Sequence, residues 1–231
     1  MTRNLNIIYE DNDILVCLKP AGVAAGSEKA GAMDMLSMVL NYLARKERGK
    51  VPTAFLVHRL DKPVAGVMIF AKTKKAAADL SAQFAKHLCG KHYYCVVTGA
   101  RESAGTLTSY IQEDKKNNVS MLSTADDKEA KKSGLIFKEL EKKEIDGRMC
   151  SLMDIELLSG RHHQIRLQMT EISEGIWGDT KYNETFKDQA GWSDLALFSY
   201  ELTIKHPTSG KSMTFNELPR GELFGEFKSI L

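Results

Sequence analysis

The sequence predicts an α+β fold built on a large mixed, mostly antiparallel sheet with flanking helices. Three observations carry that expectation. Short runs rich in β-branched and aromatic residues recur along the chain. Several are joined by tight-turn sequences of the kind that close antiparallel hairpins. Only a few segments space their apolar residues as a helix does.

Taken in order, Asn6 to Leu18 reads as two strands around Glu10-Asp11-Asn12-Asp13, because short polar side chains favour a turn. Lys19-Pro20-Ala21-Gly22 ends the second strand, since proline has no N–H to give a ladder. Met33, Leu36, Leu40 and Leu43 predict a helix over 33–48, and its basic tail suits a helix C-terminus. Strands are expected over 54–57 and 64–71. Ala77, Leu80, Ser81, Phe84 and Leu88 line one face of a helix over 74–89 that Gly90 stops. Tyr93 to Thr98 is a strand closed by Gly99. Residues 112–133 are polar, and Asn117-Asn118 suggests a hairpin or an excursion there. Strands are expected over 135–141 and 150–158, joined at Asp146-Gly147. Ile165, Met169 and Ile172 predict a helix over 162–172. The stretches 195–204 and 213–215 form a last hairpin across Pro207 to Gly210.

A chain of 231 residues suits a single domain, here expected to have two lobes around one sheet. With 43% hydrophobic and 27% charged residues it can bury a core, so disorder is not expected. The net charge of +2 decides nothing about nucleic acid, because a local basic groove matters more than the total. Basic residues cluster at 45–50, 72–75, 115–116, 131–132 and 142–143, and the ordinary reading of each cluster is a solvated face. The four cysteines never fall as Cys-x-x-Cys, which argues against a zinc ribbon or redox motif and suits a reducing cytoplasm. No apolar run approaches the length that crosses a membrane, and no signal core opens the chain. His162 and His163 are adjacent, so they point in different directions and do not share one metal ion.

The segment Val57-His58-Arg59-Leu60-Asp61-Lys62-Pro63 places one carboxylate on a short polar stretch between apolar runs. That layout suits a reactive residue on a loop held by rigid strands. The segment resembles the His-Arg-Leu-Asp signature of the RluA family of RNA pseudouridine synthases. Further segments match the same family in order. They are Lys19-Pro20-Ala21-Gly22, Lys91 to Gly99, Gly160-Arg161-His162-His163-Gln164-Ile165-Arg166, Gly178-Asp179-Thr180-Lys181-Tyr182, and the closing strand ending at His206-Pro207.

The resemblance implies the pseudouridine synthase fold with a central active-site cleft, and a cofactor-free isomerase acting on structured RNA, ribosomal or transfer. It implies that Asp61 is catalytic, as nucleophile or as base. Arg166 would stand beside Asp61 and keep it ionised. Tyr93 would pack on the uracil and take the C5 proton, with Ile165 as an apolar wall. The target uridine must leave its stem or loop. Arg59 would fill the gap or stack on a neighbouring base. Arg161, with His58 and Gln164 nearby in the two motifs, would face the RNA, Arg161 on phosphate. Asp179 and Tyr182 are expected to support the fold. No metal and no obligate protein partner are expected, and a cytoplasmic monomer is the default.

Many family members carry an N-terminal S4 domain; here the first hairpin starts within the first ten residues, so recognition is expected from the catalytic domain itself. Residues 173–179 lack the family's proline before Gly-Asp and run one residue short, which puts the local geometry there in question. The competing readings are a non-catalytic RNA-binding protein of the same fold and a hydrolase using Asp61 with His58 or His163.

Overall fold

The computed structural model describes residues 5–26, 33–46, 49, 51–187 and 194–230. The chain forms two compact units, each drawn from two stretches: 1–90 with 199–217, and 91–198 with 218–231. The first opens with β1 (Asn6–Glu10), β2 (Ile14–Lys19), α1 (Met35–Lys46), β3 (Phe55–Leu56), β4 (Ala65–Ala71) and α2 (Lys74–Ala85). The second is built from β5 (Gly90–Thr98), β6 (Ala104–Asp114), β7 (Val119–Ser123), β8 (Lys131–Ile145), β9 (Arg148–Leu157), α3 (Gln164–Ile172) and β10 (Gly175–Ile176). The strand β11 (Leu197–Lys205) enters the first unit at Ser199 and is followed by β12 (Ser212–Asn216), while the short α4 (Glu222–Gly225) returns to the second. The fold is α+β, as expected.

In the first unit β2 pairs antiparallel with both β1 and β4, β3 pairs with β4, and β11 pairs with β12. Because side chains alternate along a strand, Ile14 and Val16 of β2 and Val67, Ile69 and Ala71 of β4 share one face. They pack with Ala76 and Leu80 of α2 and with Leu202, Ile204 and Phe215 of the last hairpin. The predicted first turn is present: the Asp11 carboxylate accepts the Asp13 and Ile14 N–H groups and also bonds His206 Nε2 at 2.9 Å. The His206-Pro207 motif therefore ties the last hairpin to the first. Gly66 has φ +140°, and a Cβ there would lie 2.3 Å from the Ser199 carbonyl oxygen, so β4 and β11 approach as only glycine permits.

Helix α2 starts where Thr73 Oγ1 accepts the Ala76 N–H, but ends at Ala85 and not near Cys89. His87 adopts a left-handed φ of +55°, His87 N–H bonds Phe84 C=O, and Leu88 N–H bonds Gln83 C=O. This is a Schellman ending with histidine in the glycine position. Gly90 opens β5 instead of stopping the helix. Helix α1 lies inside its predicted span; residues 47, 48 and 50 of the basic tail lie outside the described residues.

The second unit is an antiparallel meander in which β5 pairs with β9 and β10, β9 with β8, β8 with β6, and β6 with β7. Asp146 and Gly147, at φ +50° and +72°, form the two-residue turn between β8 and β9. The polar stretch 112–133 does hold a hairpin, and Asn118 has φ +52° in its turn. β6 lies where the sequence predicts no strand before residue 112, and β8 starts four residues before its predicted span. Both strands are largely exposed on one side, so half their positions are polar and the apolar signal is thin.

Candidate active site

In the first unit the loop 57–64 is held from several sides. His58 Nε2 accepts the Ile69 N–H of β4 at 3.1 Å, and its ring stacks on Phe84 at 4.5 Å. Leu60 and Val64 are buried, and Val64 N–H closes a turn onto the Asp61 carbonyl at 3.0 Å. The Lys62 carbonyl accepts both Gly22 N–H, at 2.8 Å, and Lys19 Nζ, at 3.1 Å. Asp61 is half-buried on this loop, and Arg59 is exposed. His58 thus supports the loop through its ring nitrogen; its expected place at the RNA has no support in this geometry.

Lys19 is a residue that sequence reasoning missed. It is 0% exposed, and its Nζ also donates to Pro20 C=O at 3.0 Å and Val23 C=O at 2.7 Å. Three carbonyl oxygens match the three N–H donors of an ammonium. Burial pushes the Lys19 ammonium down to about 7, and the neighbouring Asp61 carboxylate opposes that. The Lys-Pro-x-Gly turn therefore has a physical purpose: it delivers a buried amine and the Gly22 N–H, at φ +82°, to the loop that carries Asp61. The signal was a lysine directly after the apolar run of β2 and before proline.

Replacing Lys19 with Met is expected to cost about 1–3 kcal/mol at neutral pH, because buried carbonyls lose their donor. The unfolded chain holds the Lys19 proton more tightly than the folded chain does. Above pH 7, and up to the ordinary lysine value, unfolding therefore takes up a proton and stability from this residue rises with pH. Urea unfolding at pH 6 and pH 9 checks it: the gap between wild type and Lys19→Met should widen at the higher pH.

In the second unit Tyr93 stands on β5 opposite Ile155 of β9 and is 7% exposed. Ile165 and Arg166 follow on α3, both buried. Arg166 is gripped by a partner the sequence reading did not give it. Its Nε and Nη2 donate to Asp179 Oδ2 and Oδ1, each at 2.7 Å, in a bidentate pair that is almost wholly buried. Asp179 Oδ1 also accepts the N–H groups of Lys181 and Tyr182. Asp179 accordingly supports the arginine, in keeping with a fold-supporting role. The irregular stretch 173–179 still forms β10 against β5, with Gly175 at φ +119°, and delivers Asp179.

Gln164 is turned inward. Its Oε1 accepts Ser159 Oγ and the Arg161 N–H, and its Nε2 donates to Gly134 C=O and Gln168 Oε1. The amide is fully used inside the protein, so Gln164 braces the turn before α3, and its expected place at the RNA has no support in this geometry. Arg161 is half-buried, and its Nε has no hydrogen-bond partner among the described residues. Lys91 Nζ reaches Ser159 C=O in the same turn.

The two histidines are committed to polar partners. His163, at φ +53° before α3, bonds Tyr182 Oη through Nδ1 at 2.9 Å. Burial first, and then Arg166, His162 and Lys181, push it down to about 2, so it is neutral. His162 stacks on it at 3.7 Å, so the two rings lie side by side and do not point apart as expected, because the left-handed His163 backbone turns its side chain back toward its neighbour. His162 uses Nδ1 on Ser120 and Nε2 on Asn118.

A clamped carboxylate loop in one unit and a buried arginine on a helix N-terminal turn in the other accompany an α+β architecture of antiparallel meanders. The model of the RNA pseudouridylate synthase family matches residues 13–171, and the chain belongs to that family. Its activity is the isomerisation of uridine in RNA to pseudouridine.

Among particular relatives, an uncharacterised RNA pseudouridine synthase of Aquifex aeolicus is 32% identical over 98% of this chain and 73% of its own length. Ribosomal large subunit pseudouridine synthase D of Zymomonas mobilis is 30% identical over 94% and 70%. The tRNA pseudouridine synthase C of Vibrio parahaemolyticus is 29% identical over 90% and 88%. Human RNA pseudouridylate synthase domain containing 4 has a solved structure that superposes with a TM-score of 0.75, covering 93% of this chain and 89% of that one at 20% identity.

Proposed function

We propose that Asp61 starts the isomerisation, on a uridine in ribosomal or transfer RNA that has been turned out of its stack. The observation that carries this reading is the clamping of loop 57–64 by Lys19, Gly22 and His58, which holds a half-buried carboxylate beside an exposed arginine. Relatives named for the large ribosomal subunit and for tRNA support both substrate classes.

In the reaction the N1–C1′ bond breaks, the uracil turns, and C5 bonds to C1′. The C5 proton leaves and N1 regains one, so uridine and product have the same atoms and no redox partner enters. Asp61 either attacks the sugar or removes the C2′ proton. Tyr93 packs on the uracil and accepts the C5 proton, Ile165 walls the base, Arg166 provides positive charge, Arg59 fills the vacated stack, and Arg161 meets phosphate.

The assay is release of tritium from RNA labelled at uracil C5. Tyr93→Phe is expected to bind RNA with affinity within about threefold of wild type yet turn over about 10²-fold or more slowly, as loss of a proton acceptor predicts. Wild-type turnover in that variant would remove Tyr93 from the chemistry.

The reading extends to a single chain working in a reducing cytoplasm. All four cysteines are buried and outside any disulfide, and among the described residues no helix is long and apolar enough to cross a membrane.

A further inference from the structure

Tyr182 touches Arg166, and it also ties its own loop to α3 and to β7 of the second unit. Its ring lies against the Arg166 guanidinium, with 5.2 Å from the guanidinium carbon to the ring centroid. Its backbone N–H bonds the same Asp179 carboxylate that grips Arg166. Its hydroxyl accepts the Ser120 N–H of β7 at 2.7 Å and bonds His163 Nδ1 at 2.9 Å. A backbone N–H only donates, so the hydroxyl oxygen is the acceptor toward β7, and the neutral His163 ring shares the second bond as acceptor or donor according to its tautomer.

The same strand is tied again: Ser120 Oγ donates to His162 C=O at 2.7 Å, and Asn118 bonds His162 Nε2 and, through its carbonyl, Lys181 Nζ. The β6–β7 hairpin, whose turn carries the exposed Lys115 and Lys116, is thus fastened to the turn before α3 and to residues 179–182.

We propose that Tyr182 is a positioning residue: it holds Arg166 in its reactive orientation and makes that orientation depend on the docking of the β6–β7 hairpin through Ser120 and His163. Asp179 fixes the edge of the guanidinium and Tyr182 fixes its face, so the two together leave the group one orientation. The inference rests on the proposed role of Arg166 in turnover for its kinetic arm alone.

Tyr182→Phe keeps the ring on the guanidinium and removes both hydroxyl bonds. It is expected to lower kcat about tenfold with KM within about twofold, the size of one or two lost buried hydrogen bonds. In an Arg166→Lys background the same change should alter kcat by less than about twofold, because the residue it acts through is already altered.

His163→Ala should reproduce the loss. His163→Asn should restore most of it, since Asn tolerates φ +53° and offers an oxygen near the place of Nδ1. If Tyr182→Phe does not fold, the two His163 variants decide alone, and equal kcat in both overturns the proposal. Wild-type kcat in Tyr182→Phe, or the same loss in both Arg166 backgrounds, also overturns it.

A structural readout is independent of turnover. With 15N-arginine labelling, hydrogen exchange at Arg166 Nε–H is expected to quicken about tenfold in Tyr182→Phe. Unchanged exchange would sink the proposal even in an active enzyme. Quickened exchange in a protein that releases no tritium from any RNA would leave the positioning intact and discard only the assigned reaction.

Discussion

Asp61→Asn is expected to abolish turnover, with tritium release falling at least about 10³-fold, while the melting temperature stays within a few degrees of wild type. The substitution keeps the size of the side chain and removes its charge and its nucleophilic or basic oxygen. The loop itself is held by the Val64 N–H on the Asp61 carbonyl, by Gly22 and Lys19 on the Lys62 carbonyl, and by His58 on Ile69, and these bonds do not use the carboxylate oxygens. One electrostatic change follows: Lys19 loses the attraction that opposes its burial, so its proton leaves at a lower pH than in wild type. Retained tritium release in Asp61→Asn would remove this residue from the chemistry whatever the fold does. Release that falls in step with melting would make the residue structural.

The largest expected effect on stability belongs to Asp179. Arg166 is 4% exposed and Asp179 is 1% exposed, so removing one partner strands a charge in the interior. Asp179→Ala is expected to cost about 3–5 kcal/mol in urea denaturation, the range for breaking a buried pair. The cost should lie toward the upper end because the Lys181 and Tyr182 N–H groups lose their acceptor as well.

The double change Arg166→Met with Asp179→Leu tests the source of that cost. Replacing a buried pair with apolar residues of similar volume is often close to neutral, so the double variant should recover most of the stability lost by Asp179→Ala. It should remain inactive, since the guanidinium is gone. A double variant as unstable as the single one would place the cost in packing or in the two N–H groups instead of the stranded charge.

Strand and helix identities were legible where one pattern ruled a whole segment. β2 and β4 are buried on both faces and read as continuous apolar runs. α1 formed within its predicted span, although it buries Met35, Met38, Val39 and Leu43 and leaves Met33 exposed, so the stripe through Met33, Leu36 and Leu40 is not the face it buries. β6 escaped notice because it alternates small polar residues with scattered apolar ones. The end of α2 was misplaced because a histidine took the left-handed position that glycine usually fills.

The candidate site divides in the same way. Asp61, Arg166 and Tyr93, which are proposed to act in the reaction, could be picked out because each stands in its own short motif. Family membership followed from the order of those motifs. What the isolated chain could not reveal is which side chains hold the reactive ones. Lys19 reaches Lys62 across 43 residues, Ser120 reaches Tyr182 across 62, and Gln164 turns inward although it stands in a motif. Support of this kind depends on burial and on donors and acceptors meeting after the chain has packed. Local sequence therefore determined the fold class and the family whose motifs nominate Asp61, Tyr93 and Arg166, and tertiary structure alone decided which polar residues are spent inside the protein, because every buried polar atom must find its partner wherever packing happens to bring one.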